Sequence, residues 1–172
     1  MSSPRLLLIA AMLSLPGAAQ AQHAEACTEV PTLPAELAGW GSAHGTVEAA
    51  GNAKAVKATA LPTGHRIEAA LKPTGEVRYL ARPEKPGGSV SYGGMFGFRA
   101  DTDGTYRVAL GSAAWIDVLN GKAAVVSTAH GHGPACSGIR KMVDFPLKAG
   151  SYTLQIAANG ESAVQVMVAR LP

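Results

Sequence analysis

Two histidines one residue apart open the segment His130-Gly131-His132-Gly133-Pro134-Ala135-Cys136. Alternate residues of an extended strand share a face, and imidazoles presented that way suit copper, zinc or nickel. A third ligand would come from Cys136, Asp144, Met142 or His44. The plainer reading is a solvated, glycine-rich loop held by Cys136. Asp101-Thr102-Asp103-Gly104 begins like a calcium loop, with Asp101 and Asp103 as candidate ligands. An EF-hand would place a glutamate at its twelfth position, where this chain has Ser112. An ordinary turn explains the same residues, because Asp tolerates unusual backbone angles and Gly supplies a positive φ. No Gly-x-Ser-x-Gly elbow, His-Glu-x-x-His pair or phosphate-cradling loop is present. Trp40 and Tyr92 are aromatic candidates for a ligand surface, although Trp40 could instead plug one end of the fold. Phe, Trp and Tyr make up only 5% of the chain, scarce for a glycan binder.

The N-terminus speaks to the compartment. Arg5, an apolar run of ten residues over 6–15, a Pro16-Gly17 break and the small-x-small triplet Ala19-Gln20-Ala21 read as a secretory signal over residues 1–21. Ten apolar residues reach only about 15 Å as a helix, half of a bilayer core, so no transmembrane segment is expected. A periplasmic or secreted chain meets oxidising conditions. Cys27 and Cys136, the only two cysteines, are then expected to pair. Closing a loop between residues 109 positions apart contributes roughly 4–5 kcal/mol in the chain-entropy account. Use of Cys136 as a metal ligand would exclude that bridge. The net charge of +3, from 15 basic and 12 acidic residues, is too mild and too scattered for a nucleic-acid partner.

The elements that must hold these residues read as strands. The 172 residues include 20 Gly and 11 Pro. Turn signals recur at about 8–12 residues, the spacing of an all-β sandwich or barrel. Residues 22–45, with Pro31, Pro34, Gly39, Gly41 and Gly45, form an irregular N-terminal arm, and 46–172 one β-sandwich domain. Candidate strands lie at 46–50, 53–61, 65–71, 76–82, 95–100, 105–110, 115–119, 122–129, 142–147, 151–158 and 162–170, with a long loop over 83–94. The Ala-rich run 53–61 suits a helix on propensity, and its neighbours assign it to strand. Hairpins are expected at Asp101-Thr102-Asp103-Gly104, at Asn120-Gly121 and at Asn159-Gly160. Around the last, Tyr152, Leu154 and Ile156 alternate with Thr153 and Gln155, and Val164, Val166 and Val168 with Gln165 and Met167. That period puts one row inward and the other outward. Gly104-Thr105-Tyr106 and Gly150-Ser151-Tyr152 each lead into alternating apolar residues, an echo expected of corresponding strands in a pseudo-symmetric sandwich.

Phe96-Gly97-Phe98, Gly104 with Tyr106, Trp115-Ile116-Asp117-Val118 and Phe145-Pro146-Leu147-Lys148-Ala149-Gly150-Ser151-Tyr152 carry a family likeness. Over 94–169 the chain resembles the bacterial pre-peptidase C-terminal domain and related jelly-roll accessory modules. The resemblance implies an antiparallel, jelly-roll-like sandwich that binds calcium, matrix polymer or a neighbouring domain without catalysis. A second likeness, to short exported chains named for homogentisate dioxygenase, fails on chemistry. A non-haem iron site needs two His and a carboxylate on one face, and no Glu follows His130 and His132 at the cupin offset. The sequence therefore predicts an exported, non-catalytic binding module, with an exported protein or polymer as partner. Its expected working surface is the loop set around Tyr92, His130 and His132. The alternative is a periplasmic copper- or zinc-binding protein that uses His130 and His132.

Overall fold

Period-two alternation builds two facing β-sheets. The structure, a computed structural model, describes Cys27 and residues 31–172. The expected signal over 1–21 and the first part of the arm lie outside the described residues. The strands in chain order are β1 (Ala43–Glu48), β2 (Arg66–Ala70), β3 (Lys72–Pro73), β4 (Tyr92–Ala100), β5 (Gly104–Leu110), β6 (Trp115–Asn120), β7 (Ala123–Ala124), β8 (Ala129–Gly131), β9 (Lys141–Leu147), β10 (Gly150–Asn159) and β11 (Ala163–Arg170). The first sheet has the order β1-β2-β11-β5-β9-β8, the second β3-β4-β10-β6-β7. Only β1 with β2 is parallel; the other strand pairs are antiparallel. The fold is the expected all-β antiparallel sandwich.

Inward rows from both sheets make one core. Phe96 and Phe98 of β4, Val118 of β6 and Tyr152, Leu154 and Ile156 of β10 face Tyr106, Val108 and Leu110 of β5, Phe145 of β9 and Val166 and Val168 of β11. Burying each large apolar side chain contributes about 1.5–3 kcal/mol.

The connections differ from expectation. The turn at Asp101-Thr102-Asp103-Gly104 does not close a hairpin: β4 lies in the second sheet and β5 in the first. Asn159-Gly160 likewise carries the chain from β10 in the second sheet to β11 in the first. Both strands beside an arch of this kind show the core an alternating face, so alternation alone cannot tell an arch from a hairpin. The hairpin expected at Asn120-Gly121 does close, one residue further on: Gly121 and Lys122 form the turn, with Leu119 opposite Ala124 and Asn120 opposite Ala123. Gly121 supplies φ +60° there.

Two other expected strands are absent. Residues 53–61 contain the 3-10 helix Val56–Ala58, and Ala60 makes one parallel bridge to Gly97. The Asn52 side chain accepts from Lys54 N and Ala55 N at 3.1 and 3.3 Å, and this Asx turn starts a helical turn in a run of alanines. Residues 77–85 form an irregular strap rather than a strand. The arm is more ordered than expected. It holds a 3-10 helix over Ala35–Gly41, and β1 begins at Ala43 rather than 46.

The internal echo is real. β5 lies between β9 and β11, and β10 lies between β4 and β6. Exchanging β4-β5-β6 with β9-β10-β11 preserves every one of these pairings. Tyr106 stands opposite Phe145, and Tyr152 opposite Phe98. Each tyrosine hydroxyl donates to the carbonyl four residues back, Tyr106 to Thr102 at 3.0 Å and Tyr152 to Lys148 at 2.9 Å. They are two tyrosine corners, one at the entry to each central strand.

Candidate functional site

No third ligand joins the predicted histidine pair among the described residues. His130 lies in edge strand β8 opposite Val143, and both His130 and His132 are exposed. His132 Nδ1 is 2.8 Å from the Arg140 carbonyl, so Nδ1 carries the proton and donates. Every candidate third ligand is engaged elsewhere. Cys136 is bonded to Cys27, with Cα atoms 5.4 Å apart. Asp144 accepts from Arg107 Nε and Nη2 at 2.7 and 2.8 Å. The hydrogen bond to Asp144 holds the Arg107 guanidinium above its ordinary pKa against the pull of burial, with the charges of Asp144 and Glu36 adding to it. Met142 packs beside the Trp40 cluster, and His44 stacks on His65 with ring centroids 4.2 Å apart. Among the described residues, no three His, Cys, Asp or Glu side chains gather into a metal cage.

The calcium candidates face cations of the chain. Asp101 lies 3.4 Å from Arg99 Nε. Asp103 accepts from Lys148 Nζ at 2.9 Å and from Ala149 N at 2.8 Å, and these bonds hold its carboxyl below the ordinary pKa. Asp103 thus clasps the turn before β10 to the turn before β5.

Neither aromatic candidate belongs to an open ligand surface with the histidines. Trp40 is buried, a correction to its expected exposure, and it does not plug an end of the sandwich. It packs with Leu37 on Ala109, Met167 and Ala169, on the outer side of the first sheet. Its Nε1–H donates to the Ser137 carbonyl at 2.9 Å, beside the disulfide. A Cβ at Gly39 would run into the Gly64 carbonyl, so glycine lets this helix lie close to the sheet. Tyr92 is half-buried against the main core in β4, in the sheet opposite β8.

The outer face of the second sheet is different. Its floor comes from Gly97 and Arg99 of β4 and Ser151 and Thr153 of β10. The helix Val56–Ala58 walls one side and the β6–β7 turn, with Lys122, the other; Leu80 of the strap closes an end. The groove encloses about 690 Å³, within the range of about 300–1,000 Å³ for small-molecule sites. Its lining includes Lys57, Arg99 and Lys122 but no Asp, Glu, His or Cys.

The strap is fastened through Gln155, which is fully buried. Gln155 Oε1 accepts from Leu80 N at 2.8 Å and Ala81 N at 3.2 Å, while Nε2 donates to the Ala81 carbonyl at 3.0 Å. Tyr79 donates its hydroxyl to the Ile156 carbonyl, and burial, then the charge of Asp117, pushes its pKa up to about 12. Trp115 Nε1–H donates to Asp117 at 2.9 Å, and the ammonium groups of Lys85 and Lys141 lie 5.6 and 5.3 Å from the Trp115 ring. Both cations lie within cation–π range of the ring.

Sequence reasoning missed the groove because Lys57, Arg99 and Lys122 come from three distant segments. One signal was present: Gly97 between Phe96 and Phe98 puts a glycine inside a strand, a mark of close approach. A Cβ at Gly97 would meet the Val56 carbonyl oxygen at 3.2 Å. Compared with protein-family models and with curated proteins, the chain matches none.

Proposed function

We propose that this chain is an exported, non-catalytic binding module that works through the groove on the outer face of its second sheet. The groove carries the reading. It offers apolar wall, hydroxyls from Ser151 and Thr153, and cations, with no carboxylate or imidazole lining it to act as general acid or base. The disulfide supports export, because such bridges persist in oxidising compartments. No helix among the described residues is long and apolar enough to cross a membrane. The likeness of residues 94–169 to pre-peptidase C-terminal modules agrees with a binding role. Native mass spectrometry of protein taken from the periplasm tests it. A stoichiometric non-covalent adduct is expected, and Ser151→Trp, an exposed strand position on the groove floor, should abolish it. An adduct that survives this substitution would remove the groove from the reading.

One observation favours a second reading, copper or zinc held by His130 and His132. The Nδ1–H of His132 is fixed on the Arg140 carbonyl, the orientation that presents Nε2 to a metal. Replacing both histidines with alanine should then eliminate retained metal in elemental analysis. Equal metal content in the variant sinks this reading.

A further inference from the structure

We propose that the groove takes a small organic anion, a single carboxylate, sulfonate or phosphate head on an apolar body. This rests on the binding reading above and names its ligand class. Three cationic side chains, Lys57, Arg99 and Lys122, line one concavity from a 3-10 helix, a strand and a turn. Arg99 has Asp101 nearby at 3.4 Å. Lys57 and Lys122 have no carboxylate within ion-pair distance among the described residues. Like charges around a low-dielectric wall raise the local positive potential, and an entering anion relieves that repulsion.

The remaining lining selects beyond charge. Val56, Leu61 and Leu80 supply apolar surface that a bare inorganic anion would leave wet. The hydroxyls of Ser151 and Thr153 line the same groove and can donate to a head group. A neutral apolar ligand would leave the ammonium groups uncompensated, and a cationic one would be repelled.

The test is calorimetric titration of the full chain with 1-naphthalenesulfonate, 1-naphthalenemethanol and inorganic sulfate. The sulfonate should bind about tenfold or more tightly than the alcohol, the worth of a charge-assisted contact. In Lys57→Gln/Lys122→Gln, both exposed positions, the sulfonate should fall to the level of the alcohol, with an unchanged far-UV spectrum. Equal affinity of sulfonate and alcohol, both lost in Ser151→Trp, overturns the anion proposal and leaves the binding-module reading standing. Sulfate binding as tightly as the sulfonate overturns the need for an apolar body. No binding of either naphthalene probe overturns the proposal and takes the groove out of the binding reading as well.

Discussion

Gln155 occupies the outward row of β10, where alternation places a solvent-facing side chain, yet it is fully buried. It faces outward as the period requires, but the strap covers it. Its amide satisfies two backbone N–H groups and one carbonyl, replacing a strand that residues 76–82 do not form. Gln155→Ala leaves those groups unpaired and should cost about 2–3 kcal/mol in urea denaturation. Amide exchange at Leu80 and Ala81 should accelerate; unchanged protection there would show that the strap is held by something else. Two aspartates should titrate on opposite sides of the ordinary value of 3.8. Burial raises Asp117, against its bond from Trp115, so stability linked to it is present below 3.8 and lost as pH rises through the raised value. The Lys148 bond lowers Asp103, so its contribution is present above 3.8 and lost as pH falls through the lowered value. Carboxyl carbon shifts followed by NMR give both midpoints, and a common midpoint would refute the assignment. The cysteine pairing was legible from residue types because two cysteines admit one intramolecular pair. Trp40 was not, since a tryptophan in a glycine-rich arm gives no sign of the sheet it covers.

The strand interiors were legible in sequence, while their partners were not. Inward residues of β10 and β11 carry a period of two whichever sheet they join, and the Asn159-Gly160 turn suits a sharp reversal in either case. What settles the arrangement is long-range: Phe96 and Phe98 must lie beside Tyr152 and Leu154 in one sheet, and Val166 beside Leu110 in the other. The tyrosine echo came closest to showing it, because the two corners mark the two central strands. Each hydroxyl ties the chain just before its strand: Tyr106 also stands 3.4 Å from Thr102 N, and Tyr152 accepts from Lys148 N at 3.1 Å. Tyr106→Phe and Tyr152→Phe should each cost about 1 kcal/mol by denaturation. The Asp103 clasp joins the two turns, so the double variant should depart from additivity, as expected for residues in one network. Strict additivity would mean that the corners act independently.

At the scale of the whole molecule, the sandwich has a cover on each outer face, fastened by different chemistry. The strap over the second sheet is held by an amide and a tyrosine, and the groove lies beside it. The helix Ala35–Gly41 over the first sheet is held by Trp40, by the Arg107–Glu36 pair at 3.7 Å, and upstream by the Cys27–Cys136 bond. Cys136 itself has φ +61°, a conformation that non-glycine residues adopt only when the surroundings impose it. The core proper needs none of this: its inward rows come from strands within the bridged loop and from β9, β10 and β11 beyond it. Cys136→Ser should therefore keep the far-UV signature of the sandwich while lowering stability by up to about 4–5 kcal/mol. The loss is capped because part of the arm's hold is the burial of Leu37 and Trp40, which the substitution leaves in place. In a Trp115→Phe background, Trp40 is the sole described tryptophan and its emission reports the arm alone. It should shift to the red at lower denaturant than the far-UV transition, since the arm can leave before the sheets part. Coincident transitions would mean that arm and sandwich unfold as one unit. Ligand affinity of the groove should be unchanged in the same variant, because the bridge and the groove belong to opposite sheets; a parallel loss of affinity would show that the two covers are coupled through the core.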